Sequence, residues 1–326
     1  MKIFRPILAI PLLAGMAGCK MVVLNPSGDI AAQQRDLVLL ATGLMLLIIV
    51  PVILLTLFFA WKYRASNPAS EASYAPDWHH STRLEMLVWG APLAIILVLG
   101  AVTWVTSHTL DPYRPLARLA PNRPVPANTR PLEVDVVALD WKWLFIYPEQ
   151  GIATVNELAA PVDRPIAFKI TASSVMNSFY TPALAGQIYA MPGMQTQLHA
   201  VINKPGVYDG FSANYSGAGF SGMRFKFKGL SQADFDSWVA QAKAAPPALT
   251  RADYLTLARP SADEPVRRYS SIDPTLFLAI VNRCPAAGQI CKDQMKSPIP
   301  SSPMAVAMAN RAHCEPGRPV PARPAS

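Results

Sequence analysis

The chain has 326 residues, 51% of them hydrophobic, and a positive mean hydropathy, which excludes an ordinary soluble protein and leaves room for a membrane part plus one domain. Its net charge of +8 comes from scattered Lys and Arg with no run of five or more, so no nucleic-acid surface is expected.

Residues 1–18 read as a lipoprotein signal. Lys2 and Arg5 precede the apolar run Ile7–Ala14, and the small residues Gly15, Ala17 and Gly18 lead to Cys19, the expected lipidation site. Residues 19–36 follow as a periplasmic N-terminal segment. Leu37–Trp61 is a run of 25 residues without a charge and Met86–Ser107 a run of 22. Each is long enough to cross a hydrocarbon core of about 30 Å at about 1.5 Å per residue. The expectation is a transmembrane hairpin over 37–110, with helices at about 37–61 and 86–107. Its loop, 62–85, carries Lys62, Arg64 and Arg83 and is placed in the cytoplasm by the positive-inside rule. Pro51 and Pro92 each interrupt one helical hydrogen bond within a span, which implies packed partner helices.

Prolines crowd residues 111–130, read as an extended linker, and the tail 284–326, read as disordered. Between them the hydrophobic period changes to two. Leu132, Val134 and Val136 alternate with Glu133 and Asp135, Ile166, Phe168 and Ile170 with Lys169 and Thr171, and Phe225 and Phe227 with charged residues. Half-buried strands over 131–229 indicate a β-sandwich. In 230–283 three helices are expected. Ser231 is a plausible cap ahead of Phe235, Trp238 and Val239, and further helices are read at Thr250–Leu257 and Pro274–Asn282. The fold class is thus membrane α plus all-β, a two-helix hairpin followed by a sandwich and a helical arm.

The segments ALDWKWLFIYPEQGIATVNELAAP (138–161), SVMNSFYTPALAGQIYAMPGMQTQLH (174–199) and NYSGAGFSGM (214–223) closely resemble subunit II of the cytochrome bo-type ubiquinol oxidases. These belong to the haem-copper oxidase superfamily. The resemblance implies a cupredoxin-like sandwich on the periplasmic side of a bacterial inner membrane. Relatives that accept electrons from cytochrome c carry a two-copper loop of the form C-x-x-x-C-x-x-x-H-x-x-M, with a further His from an earlier S-x-x-x-H-S-x-x-x-P segment. Laid on that pattern, this chain offers Tyr215, Gly219, Met223 and Lys226, and Asn177 for the earlier His. Only one weak ligand survives, so no copper is expected in this chain.

The resemblance further implies that haem groups, copper and ubiquinol reside in subunit I, and that subunits I, III and IV and membrane lipid are the partners. This chain would be a non-catalytic subunit of a proton-pumping ubiquinol oxidase. His80, Glu85 and Trp89 resemble an H-x-x-x-x-E-x-x-W segment whose Glu stands at the cytoplasmic mouth of a proton channel. A carboxylate in the first turn of a membrane helix also suits the positive end of the helix dipole.

Trp141 and Trp143 read as core or interface packing residues, with a quinol-related role as the alternative, and His199 as a structural histidine on a strand. Cys284 and Cys291 are expected to form a disulfide closing a small loop. The alternative, a metal site of Cys284, Cys291, His313 and Cys314, lacks a C-x-x-C knuckle. Two rival functions stay open: a copper-bearing cytochrome c oxidase subunit II, disfavoured by the absent ligands, and a periplasmic lipoprotein reusing the sandwich for assembly or binding.

Overall fold

The computed structural model describes residues 21–64, 66–67 and 77–295. The first long helix, α1, spans Asp29–Lys62, and the second, α2, spans Thr82–Thr109. Both are long and apolar enough to cross a membrane. Each exceeds its expected range, α1 by eight residues at its start. The reason is that residues 29–36 carry the charges Asp29, Arg35 and Asp36 yet consist mostly of good helix formers, headed by Gly28 in extended conformation and Asp29 in the first turn. A search for uncharged runs cannot see them. Large side chains such as Leu47, Leu57, Trp89 and Trp104 lie exposed on these helices, as lipid or partner helices would require.

The chain ahead of α1 is fastened to the sandwich. Backbone N–H groups of Ser27 and Gly28 both donate to the Ala183 carbonyl, at 2.9 and 2.8 Å, and Asn203 N–H donates to Ser27 O at 2.9 Å. A Cβ at Gly28 would stand 2.5 Å from Leu184 O and 2.6 Å from Val201 O, so only glycine passes here. The next side chain, Asp29, is buried and accepts from Gln33 Nε2 (2.7 Å) and Arg118 Nε (2.9 Å).

The proline-rich linker is not wholly extended. It holds a small antiparallel ribbon of β1 (Arg118–Ala120) and β2 (Arg123–Pro124). The sandwich follows with β3 (Leu132–Leu139), β4 (Lys142–Tyr147), β5 (Ile152–Val155), β6 (Glu157–Pro161), β7 (Ile166–Ala172), β8 (Asn177–Tyr180), β9 (Ile188–Ala190), β10 (Thr196–Ala200), β11 (Gly206–Ser212) and β12 (Arg224–Leu230), and β13 (Arg267–Tyr269) joins from the arm. One sheet runs β10-β7-β3-β4-β5-β13 and the other β6-β12-β11-β8-β9. The β3–β7 and β6–β12 pairs are parallel. Between the sheets lies an aromatic core in which Phe179 and Phe225 stack at 5.3 Å and Trp143 meets both edge-on.

The helical arm comprises α3 (Gln232–Lys243), α4 (Arg251–Leu257), α5 (Leu276–Val281) and a single turn, α6 (Lys292–Met295). Ser231 caps α3 by accepting from Asp234 N–H, and Thr250 with Asp253 forms a capping box on α4. Tyr254, Leu257, Leu276, Phe277 and Ile280 of the arm cover Val137, Leu139, Leu144 and Ile146 on the outer face of the first sheet. At about 1.5–3 kcal/mol per fully buried large side chain, this second core, though smaller than the first, contributes on the order of ten kcal/mol or more before entropy is counted. It also corrects the reading of β3 as half-buried. Its outward residues Val137 and Leu139 are covered by the arm, whereas β12 keeps the expected alternation, with Phe225 and Phe227 in and Lys226 out.

The segment 284–295 departs from the expectation of a disordered tail. Cys284 and Cys291 are bonded, with Cα atoms 4.9 Å apart, and Lys292 Nζ donates to Gly193 O at 2.6 Å. The signal, Cys19 and residues 296–326, with His313 and Cys314, lie outside the described residues.

Candidate functional site

The loop between β11 and β12 is where the sequence places the lost metal ligands, and its five positions do not converge. Asn177, at the start of β8, is 1% exposed and accepts through Oδ1 from the Ser212 hydroxyl at 3.0 Å, while its amide donates to Val175 O. Ser212 N–H donates to Met223 O, which links the bases of β8, β11 and β12. The Met223 thioether is buried in the aromatic core. Tyr215 points outward, 75% exposed, with its ring against Phe220. Lys226 stands on the outer face of β12 and pairs with Asp209.

Gly219 is the informative position. A Cβ there would fall inside the Trp141 indole, which also lies 3.3 Å from the Cβ position of Gly217. Trp141 sits at φ +65 in the β3–β4 turn, a strained conformation for a bulky residue, and its Nε1–H donates to Ser216 O at 3.0 Å. The hydrogen bond and the two glycines hold the ring flat over the loop. Copper of the two-thiolate, two-imidazole kind needs soft and borderline donors converging on one point. This loop offers a phenol facing solvent, a glycine under an indole, an engaged amide and a thioether sunk in the core. The residues do not fit the metal.

The second candidate lies at the other end of the helices. Glu85 is in the first turn of α2, and its Oε1 is 2.8 Å from His80 Nδ1. Thr82 Oγ1 lies 3.3 Å from His80 Nε2, and both His80 and Glu85 are exposed. The arrangement is a carboxylate and an imidazole bridged at the open end of an apolar helix.

Three charged residues that pattern reading missed are buried in the sandwich. Glu157 accepts from Arg268 Nη2 (2.7 Å) and Trp238 Nε1 (2.8 Å) at one oxygen and from Lys228 Nζ (2.6 Å) at the other. Burial raises its pKa, but the donors Lys228, Trp238 and Arg268 outweigh it and hold the carboxyl below its ordinary value. Asp135 is pushed up to about 6 by burial, against Lys169, which lowers it, and with Glu133, which raises it. Lys142 is lowered by burial, with Glu264 and Asp140 opposing. Its ammonium donates to Arg259 O (2.8 Å) and Ser261 Oγ (2.6 Å). The signal available was a charge within a strand of otherwise apolar residues, which reads as outward-facing until the arm is known to cover that face.

His199, on β10, is satisfied by the linker, with its N–H donating to Pro112 O at 3.1 Å and its Nδ1 3.2 Å from the same carbonyl. Trp143 is fully buried, and its ring belongs to the aromatic core. Among the described residues no three His, Cys, Asp or Glu side chains cluster as a metal site.

Residues 132–230 match the family model for the cytochrome c oxidase subunit II periplasmic domain, and residues 243–288 match that for the COX aromatic rich motif. Cytochrome bo(3) ubiquinol oxidase subunit 2 of Pseudomonas putida is 53% identical over 268 residues, 82% of each chain. The protein of the same name from Pseudomonas aeruginosa is 52% identical over 82% of this chain and 78% of its own. Ubiquinol oxidase subunit 2 of Acetobacter aceti is 50% identical over 82% of this chain and 83% of its own. With about half its residues identical over four fifths of its length, and with helices, sandwich and arm in this order, the chain belongs to the ubiquinol oxidase subunit 2 family.

Proposed function

We propose that this chain is the non-catalytic second subunit of a proton-pumping ubiquinol oxidase in a bacterial inner membrane. It crosses that membrane twice, with the sandwich in the periplasm and Cys19 lipidated at the outer face. Ubiquinol, the haem groups and copper belong to subunit I, and subunits III and IV complete the complex. The observation that carries this division of labour is Trp141 packed over Gly219. A loop closed in this way has no place for a metal that relays electrons, so the sandwich serves as a cap and brace for its neighbour. Glu85, bridged to His80 in the first turn of α2, serves as the cytoplasmic mouth of a proton channel into subunit I.

The test is turnover of the purified complex with ubiquinol and with reduced cytochrome c. The expected result is oxidation of the quinol alone. Glu85→Ala is expected to keep assembly and haem content while slowing quinol oxidation, with Glu85→Asp milder. Wild-type turnover in an assembled Glu85→Ala complex would remove the channel role, and oxidation of cytochrome c would overturn the reading as a whole.

A further inference from the structure

The helix pair and the sandwich meet at a cavity of about 240 Å³, smaller than a typical drug-sized pocket. Asp29 and Gln33 of α1, Thr109 at the end of α2, and Asp111, Arg114 and Arg118 of the linker line it. A groove of about 280 Å³ adjoins it and runs between the helices along Leu37, Leu40, Val102 and Thr106. Gln33, Thr109 and Leu110 line both, and Asp36 stands at the rim of the groove, so a polar chamber adjoins a mainly apolar groove.

The level of this pair in the chain matters. Gln33 is four residues ahead of Leu37, where the uncharged run begins, or about 6 Å along the helix. That is the depth of the headgroup layer, about 5–8 Å on each side of the hydrocarbon. The groove begins where acyl chains begin.

The charges are unevenly matched. Arg118 already pairs with the buried Asp29 carboxylate. The Arg114 side chain donates to the His108 carbonyl at 3.3 Å, and among the described residues no carboxylate stands within ion-pair distance of it; Asp111, which also lines the cavity, accepts from Tyr113 N–H instead. Two guanidiniums lining one cavity, one of them in no ion pair, suit a phosphodiester, which accepts charge-assisted hydrogen bonds from planar donors. A neutral quinol headgroup would leave Arg114 uncompensated. We propose that the cavity and groove together bind one phospholipid, its phosphate on Arg114 and Arg118 and one acyl chain between α1 and α2. The bound lipid fills the joint between the helices and the sandwich.

The inference rests on the membrane-spanning reading above. The whole oxidase complex is purified in mild detergent, washed free of loose lipid, and the retained phospholipid is counted by native mass spectrometry. The count is repeated after exposure to phosphatidylethanolamine–phosphatidylglycerol vesicles. Arg114→Glu and Val102→Trp are each expected to lose one phospholipid per complex without loss of subunits or haem. Retention of the full count in either variant overturns the proposal. Val102→Trp leaves both arginines in place, so a site for free phosphate alone would survive it and would be exposed as such. A quinol or a neighbouring subunit's side chain found in the cavity by electron microscopy of the complex also overturns it. Should the membrane-spanning reading itself fail, the chain would leave the membrane on alkaline extraction, whereas failure of the lipid site alone leaves it embedded with an unchanged count.

Discussion

Trp141 and Gly219 occupy one volume: the indole lies where a side chain at 219 would begin. The loop and the β3–β4 turn are therefore a matched pair. Gly219→Ala is expected to cost about 1–3 kcal/mol by overpacking. Combining it with Trp141→Ala should cost less than the sum of the two single changes, because the second removes the collision created by the first. Thermal unfolding of the four proteins checks this, and strict additivity would refute the shared volume. The same relation predicts that Asn177→His, Tyr215→Cys, Gly219→Cys and Met223→His together will move the loop toward a copper site but hold the metal more weakly with Trp141 in place than with Trp141→Ala added. Copper retained after desalting, measured by atomic absorption, compares the two variants, and tighter binding with Trp141 in place would contradict it.

Glu157 binds the arm to the sandwich through Arg268 of β13 and Trp238 of α3. Glu157→Ala leaves a guanidinium and an indole N–H facing a vacated site. The expected loss is about 3–5 kcal/mol, the usual cost of breaking a buried pair. Because its pKa is lowered in the folded state, the contribution is full above the ordinary glutamate value of 4.5 and is lost as pH falls through the folded value. Limited proteolysis of residues 244–283 should accelerate in the variant at neutral pH and in the wild type on acidification. Equal cleavage rates at pH 7 would argue against the linkage.

Asp135 has the opposite sign. Its pKa rises from 3.8 to about 6 on folding, so the native state binds more protons between those values and stability falls as pH rises through that window. The full difference is worth about 3 kcal/mol at about 1.4 kcal/mol per unit. Asp135→Asn is expected to raise the Tm at pH 7 and to flatten the pH dependence between 4 and 6. A Tm lowered at pH 7 would show instead that the charged form is the one the fold favours.

The bond between Cys284 and Cys291 closes a loop with a sequence separation of 7. Chain-entropy arguments give about 2–3 kcal/mol for a loop of that size. Cys284→Ser is expected to free the Lys292–Gly193 contact and expose residues 284–295 to protease, leaving the sandwich intact. Hydrogen exchange over that segment distinguishes local release from a general loss of stability.

How much was legible in the sequence depended on whether one residue's neighbours were local. The uncharged runs from Leu37 and Met86, the alternation through Phe225 and Phe227, and Ser231 ahead of Phe235 are local signals, and the structure carries a helix, a strand or a cap at each. The burial of Glu157 and Lys142 was not legible, because their partners Trp238, Arg259, Ser261 and Arg268 come from an arm about a hundred residues away. The candidate loop was legible as a set of missing ligands. That Trp141 fills the space was not, since nothing in the order Asp140-Trp141-Lys142 announces a left-handed tryptophan.

Gly28, wedged between the carbonyls of Leu184 and Val201, makes the sandwich turn with α1 as a key turns with its shaft. Residues 29–36 then set the clocking between the sandwich and the side chains that α1 presents below Leu37. One residue inserted between Gln34 and Leu37 would rotate the sandwich by about 100° about the helix axis and raise it by about 1.5 Å. Any neighbour that grips both parts would then find one of them facing the wrong way.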